Sequence, residues 1–259
     1  MGLFELAAYG GSSFGSALGG YIAIAHGLRL PFYSIIIMSS IGAVAGFFMI
    51  PETKSPEKIE EKATLTRGPR SYSIAFRQSI PLYIAGFSSK IMDSLVWSFL
   101  PLHLAGLQMS VVEIAAIASA FTFTWALAQP LTGHLSDKLG RKRMVIIGLA
   151  STAVSILPYL LTGVFFLMFV LAIILGFEAA LFYTPLVAMV GDIAPLGLEG
   201  TLIGSYRFFR DMGYFVGPIF LGLIADVYGL EYSFYITSLC LFVAMVIVHI
   251  FSRETLANV

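Results

Sequence analysis

The chain is 259 residues long, 58% apolar and 12% charged, with a mean hydropathy of +0.89. Ordinary globular domains are about 45–50% apolar and about 25% charged, so the composition excludes a disordered chain, and the lone Cys240 excludes an internally disulfide-bonded scaffold. Lysine plus arginine number 15, as do aspartate plus glutamate. No net field draws a polyanion, and nucleic acid is excluded as a partner. An all-α polytopic membrane protein remains, with the lipid bilayer as its first partner.

A helix crossing a hydrocarbon layer of about 30 Å needs about 20 mostly apolar residues. Eight runs qualify. The first, Ala7–Ala25, lacks the basic flank of a signal peptide and is broken by glycines, so it reads as a span. Leu30–Ile50 is the second. Pro51–Gln78 is rich in charge and carries Pro56, Gly68 and Pro69, which makes it a linker. Ile80–His103, Val111–Leu131, Met144–Thr162, Val164–Val190, Thr201–Ala225 and Tyr232–Ile250 follow. Barrel strands would be about half as long. Ser110 and Glu113 have capping-box spacing just ahead of the fourth run. The expected organisation is two helices in residues 1–50, a linker over 51–78 and a six-helix bundle over 79–259.

Basic residues mark the cytoplasmic side of short loops. Lys54, Lys58, Lys62, Arg67, Arg70 and Arg77 lie in the linker, Lys138, Arg141, Lys142 and Arg143 between the fourth and fifth runs, and Arg253 in the tail. If eight spans alternate, all of these fall on one side and only Arg29 on the other. This places the linker and both termini in the cytoplasm of a multi-pass protein of the plasma or cell membrane.

A shift of 202 residues lays the first span over the seventh: Gly11 on Gly213, Gly15 on Gly217, Gly20 on Gly222, and Phe32-Tyr33 on Phe234-Tyr235. Parallel repeats of this kind build transporters from two similar halves. The loop Gly133-His-Leu-Ser-Asp137-Lys138-Leu-Gly140-Arg141-Lys142-Arg143 resembles the signature loop of the major facilitator superfamily at every defined position. Gly133 and Gly140 would permit a tight turn, and Asp137 would face a helix N-terminus, where negative charge is favoured. Gly11-Ser-Ser-Phe-Gly15-Ser16-Ala-Leu-Gly19-Gly20 resembles the glycine motif of the family's proton-coupled exporters, with Ser16 where that motif has proline. The seventh span repeats the pattern through Gly213, Gly217, Pro218 and Gly222. Pro51-Glu52-Thr53-Lys54 looks like the family's exit from its sixth helix. The resemblance implies a partial fold: the last two helices of the N-terminal bundle and a complete C-terminal bundle, with the first four family helices expected to be missing, or supplied by a separate N-terminal part or a second chain.

Charges inside spans are expensive and functional by default. Lys90 and Asp93 lie in the third span, Glu178 in the sixth, and Arg207, Arg210 and Asp211 in the seventh. Lys90 and Arg210 sit roughly 14–15 Å into their runs, near the midplane. Lys90, Asp93 and Trp97 share a face at i, i+3 and i+7, Arg207, Arg210, Asp211 and Tyr214 form a second stripe, and Glu178 shares a third face with Phe182. Family resemblance points all of these charges inward. Lys90 and Asp93 are suited to pair. Glu178 has no basic neighbour on its own helix and is the leading proton carrier. Arg207 and Arg210 suit an anionic group, because guanidinium forks two hydrogen bonds. No nucleophile–base pair, cofactor loop or metal-ligand spacing appears, so neither an enzyme, a cofactor nor a metal is expected. The family implies a secondary carrier of a small molecule, expected to export it in exchange for protons. An importer of an anionic solute and a truncated remnant without transport are the alternatives.

Overall fold

The computed structural model describes residues 29–49 and 69–256, together with single positions at Gly10, Gly11, Gly15, Leu18, Gly19, Ile22 and Gly27. Among the described residues all regular structure is helical. We number the helices α1 (Leu30–Met49), α2 (Pro69–Ser94), α3 (Leu100–Gly106), α4 (Val111–Leu139), α5 (Arg141–Ser155), α6 (Phe165–Ile193), α7 (Glu199–Tyr228) and α8 (Leu230–Phe251). A π-helical turn, Leu95–Phe99, joins α2 to α3 without a break, and a 3₁₀ turn, Leu157–Leu160, extends α5. The expected run Ala7–Ala25 lies largely, and the first part of the expected linker Pro51–Gln78, residues 51–68, wholly, outside the described residues; the last part of that linker, residues 69–78, is not a linker but the start of α2.

Among the described residues six helical segments are long and apolar enough to cross a membrane: α1, α4, α5 with its 3₁₀ turn, α6, α7 and α8. The helix over the third run does not reach that level of hydropathy, because Arg77, Lys90 and Asp93 dilute it. It also begins earlier than its apolar run, with Pro69 in the first helical position, where the missing N–H costs nothing. None of the residues of α1 is buried. Large apolar side chains also face outward on the bundle: Phe123, Leu127 and Leu131 recur at i, i+4 and i+8 along α4, and Phe208, Phe215, Ile219 and Leu223 stand out from α7. Such a surface would be a liability in water and is the ordinary exterior in lipid.

The bundle closes mainly through α4 against α6, α2 against α7, and α5 against both α6 and α8. Lipid tails are as apolar as leucine, so burial supplies little net driving force here. Close packing and hydrogen bonds hold such a bundle. Trp125, Phe121, Phe182, Tyr206 and Phe234 fill its interior.

The helix ends follow local chemistry. The Ser110–Glu113 capping box forms as expected: Glu113 N–H donates to Ser110 Oγ (3.3 Å), and Ser110 N–H donates to Glu113 Oε2 (2.8 Å). The turn between α4 and α5 differs from expectation. Gly133 is not in a turn but inside α4, which continues to Leu139. The residues after Leu131 are mostly polar yet helix-compatible, and helical hydrogen bonding does not need an apolar side chain to continue. The whole corner is the single residue Gly140, at φ 99°, a conformation open to glycine and strained for other residues.

Candidate functional site

The centre of the site is built by the α2–α7 crossing. A Cβ at Gly213 would stand 2.5 Å from the carbonyl oxygen of Phe87 and 2.7 Å from Lys90 Cβ, and one at Gly217 would stand 2.5 Å from Ser94 Oγ. Small residues one helical turn apart let backbones approach this closely. The approach brings Tyr214 of α7 onto the charges of α2. Lys90 Nζ pairs with Asp93 Oδ2 at 2.5 Å, and Tyr214 donates its hydroxyl to the same oxygen at 2.9 Å. Lys90 and Asp93 are each 2% exposed. Three aromatic rings surround the ammonium: Tyr214, Tyr183 and Trp125, with centroids 4.6, 4.8 and 5.8 Å from Nζ. A desolvated cation gains about 2 kcal/mol or more from an aromatic face, so the rings and Asp93 together replace the water Lys90 has lost.

Arg210 lies on the far side of Tyr183. Its Nη1 donates to the Tyr183 hydroxyl at 3.0 Å, and its Nε donates to Asp211 Oδ1 at 2.7 Å. Tyr183 therefore presents its ring to Lys90 and its oxygen to Arg210. Arg210 is buried, while the Asp211 side chain is half exposed and gives this pair a route to the outside. Arg207 sits half-buried one turn earlier on α7.

Two expectations about these charges change. Trp97 does not share the buried face of Lys90 and Asp93 but is 44% exposed. The π-helical turn Leu95–Phe99 winds more residues into each turn, so the i+7 position rotates away. Glu178 does not face the other charges either. It lies on the α5–α6 seam, where Ser155 donates to Oε1 at 2.8 Å and Ser151 stands beside the carboxyl. The 3.6-residue period turns position 178 toward α5 while Tyr183 turns toward α2 and α7. Elsewhere on α6, Thr184 donates to Gln129 of α4.

The signature corner forms a separate network. Asp137 Oδ1 accepts from Arg141 Nε (3.3 Å) and Nη2 (3.0 Å), and Arg141 also pairs with Asp192 at the end of α6. Asp137 does not face a helix N-terminus here. Glu254 of the tail takes that place, accepting from the backbone N–H of Arg141 (3.0 Å) and Lys142 (3.1 Å). The Gly140 corner turns the first N–H groups of α5 toward the chain leaving α8, while Asp137 remains on the outer face of α4. Lys142 Nζ completes the clasp by donating to the carbonyl of His249 in the last turn of α8 (2.8 Å) and to that of Ser252 just past its end (2.7 Å). Lys138 stays exposed.

Gly11, Gly15 and Gly19 of the first glycine motif are helical positions with open space around them, and Gly20 lies outside the described residues. In the second motif Gly222 makes ordinary contact with Phe99, and Pro218 is inside α7. Among the described residues no group of His, Cys, Asp and Glu is placed to hold a metal. The sequence reading missed Tyr183, Trp125 and Glu254. For Glu254 a signal existed: the 202-residue offset lays Glu254-Thr255 over Glu52-Thr53.

The Major Facilitator Superfamily profile matches residues 82–257. An uncharacterized MFS-type transporter of Methanocaldococcus jannaschii is 25% identical over 238 residues, covering 89% of this chain and 60% of that protein. The multidrug resistance protein MdtG of Proteus mirabilis is 28% identical over 69% of this chain and 46% of its own length. The quinolone resistance protein NorA of Staphylococcus aureus is 26% identical over 58% of this chain and 39% of its own. The chain thus spans about half the length of the curated relatives it matches. Helices long and apolar enough to span lipid, the signature corner around Gly140 and the profile match over most of the chain agree that it is an integral multi-pass membrane protein of the Major Facilitator Superfamily, a family of transporters rather than enzymes.

Proposed function

We propose that the chain works in a secondary carrier that exports a small molecule in exchange for protons. The observation that carries this reading is the buried cluster of Lys90, Asp93, Tyr214, Tyr183 and Arg210, in which three helices meet around charges held by aromatic rings. Such a group is expensive in lipid, and its use is to meet a solute and exchange partners with it. Asp211, half exposed, gives the cluster its open side, and Arg207 is half-buried one turn earlier on α7. Glu178, apart from the cluster and hydrogen-bonded by a neutral serine, takes and releases the coupled proton. The relatives named for multidrug and quinolone resistance support export. Import of an anionic solute is less well supported, since Asp211 and Tyr183 already engage Arg210.

The test is flux of ethidium, a lipophilic dye cation, in proteoliposomes under an imposed pH gradient. Glu178→Gln is expected to lower gradient-driven flux about a hundredfold, the low end of what a positioned acid–base group contributes, with dye binding unchanged. Undiminished gradient-driven flux would remove Glu178 from the coupling role. Uptake of organic anions with no dye movement would replace export by import.

The proposed organisation is eight spans, two in residues 1–50 and six in the bundle that begins with α2, joined by a cytoplasmic linker that starts at residue 51 and ends where α2 starts at Pro69 rather than at residue 78. Both termini are cytoplasmic. Single cysteines at Lys58 and Arg253 in a Cys240→Ser background should resist impermeant thiol reagents added outside intact cells and react after permeabilisation. Rapid labelling from outside at either position would reverse the orientation.

A further inference from the structure

The corner where α4 ends, α5 begins and α8 ends carries cationic groups that the clasp does not use. A cleft of about 800 Å³ opens there, and its wall includes Lys138, Arg143 and His249. Sites for small ligands run from about 300 to 1,000 Å³. The other charged groups of the wall are engaged: Asp137 with Arg141, Glu254 with the first backbone N–H groups of α5, and Lys142 with the carbonyls of His249 and Ser252. Lys138, Arg143 and the His249 ring are exposed, and their side chains have no hydrogen bond or ion pair among the described residues. Arg143 leans over the corner, its Cδ 3.9 Å from the point where a Cβ at Gly140 would stand. Each of the three free groups also ends an apolar stripe. Lys138 comes seven residues after Leu131 on the face of Phe123 and Leu127, Arg143 comes four before Ile147 and eleven before Val154, and His249 comes seven after Phe242. Residues so spaced share a helix face, and all six apolar side chains are exposed on the lateral surface.

We propose that this cleft binds the phosphate of an acidic phospholipid, held by Lys138, Arg143 and His249, with the acyl chains lying along the stripes of α4 and α5. The Arg143 guanidinium forks two hydrogen bonds to phosphate oxygens, Lys138 adds a point charge, and the imidazole N–H of His249 is a third donor. Basic pockets between membrane helices take acidic headgroups on the same physical grounds. The two carboxylates of the wall do not oppose the phosphate at full strength, because Arg141 pairs with Asp137 and the N-terminal dipole of α5 offsets Glu254. A lipid rather than a soluble phosphate fits the position. The phosphate of a lipid stands where its chains begin, and here the apolar stripes of three helices give way to cations at one cleft. The bound headgroup would tie together α4, α5 and α8, the elements already joined at this corner by Lys142 and Glu254. The site is separate from the Lys90 cluster and from Glu178 and does not depend on the transported solute.

Native mass spectrometry of the purified full chain in detergent, titrated with dioleoyl phosphatidylglycerol, reads the number of lipids bound and their dissociation constant. One saturable site is expected. The double variant Lys138→Gln, Arg143→Gln should weaken it about 25-fold, about fivefold for each basic charge withdrawn from an acidic lipid. The double variant Arg77→Gln, Arg253→Gln removes the same charge from exposed positions outside the cleft and should leave binding as it is. Lys138→Arg, Arg143→Lys keeps the charge and should retain most of the affinity, which separates loss of charge from damage to the fold. Dioleoyl phosphatidylcholine, with no net charge, should bind more weakly. Glycerol phosphate, which offers the phosphate without chains, should not displace the lipid at equal concentration. Absence of a saturable site in the wild type overturns the proposal, as does equal weakening by the Arg77, Arg253 pair or by the charge-keeping pair. Equal binding of phosphatidylcholine overturns the choice of an acidic headgroup, and displacement by glycerol phosphate overturns the lipid in favour of a soluble phosphate.

Discussion

Asp93→Asn should destabilise the folded protein by about 3–5 kcal/mol, the cost of leaving one member of a buried ion pair uncompensated. Lys90 Nζ is 2.5 Å from Asp93 Oδ2 with both residues 2% exposed, so water does not take over when the carboxylate is lost. The aromatic faces at 4.6–5.8 Å are present before and after the substitution, so they do not replace the lost carboxylate. Thermal unfolding in a fixed detergent, followed by tryptophan fluorescence, measures the effect. The double variant Lys90→Met, Asp93→Leu removes both charges at similar volume, and buried pairs replaced in this way are often neutral or better. It should recover most of the lost stability while remaining inactive in flux. A double variant as unstable as Asp93→Asn would show that packing around these side chains, rather than the unpaired charge, sets the cost.

That experiment bears on what the sequence makes legible. Lys90 and Asp93 are three apart on a helix, and a pair at that spacing is local information. The prediction that they meet needed no fold. Tyr183 is different. It stands between Lys90 and Arg210 only because α6 crosses both α2 and α7, and no spacing along one helix reveals such a crossing. Glu178 shows the same limit from the other direction. Its depth in the membrane was readable from the length of its run, but the facing helix was not, and the carboxyl turns to α5 rather than to the charges at similar depth.

Helix ends divide in the same way. The Ser110–Glu113 box is complete within four residues, and the structure has it as read. The start of α5 is not local. Its first N–H groups are satisfied by Glu254, more than a hundred residues later. Asp137, expected from the signature loop to cap or face a helix N-terminus, instead pairs with the Arg141 side chain. Trp97 went astray for a further reason, since a period of 3.6 was carried across a turn that is π-helical.

Gly213→Ala is the smallest change expected to disturb the whole cluster. The added Cβ would meet the Phe87 carbonyl oxygen at 2.5 Å, and a backbone atom inside a helix cannot move aside by a rotamer change. The helices must separate instead, and overpacking of this kind costs about 1–3 kcal/mol. Separation carries Tyr214, the next residue along α7, away from Asp93, where its hydroxyl now donates at 2.9 Å. Two measurements follow. Gly213→Ala should lower the unfolding temperature, whereas Gly204→Ala, on the same helix with nothing within 4 Å, should leave it unchanged or raise it, because alanine favours helix. In addition, Tyr214→Phe should destabilise the wild-type protein more than it destabilises Gly213→Ala, since in the second background the hydrogen bond to Asp93 is already broken. Additive effects in that double-mutant cycle would mean that the Asp93–Tyr214 bond does not depend on the close crossing. Coupled effects would tie the glycine motif of α7 to the geometry of the charges, with close packing serving to bring a hydroxyl from one helix to a buried carboxylate on another.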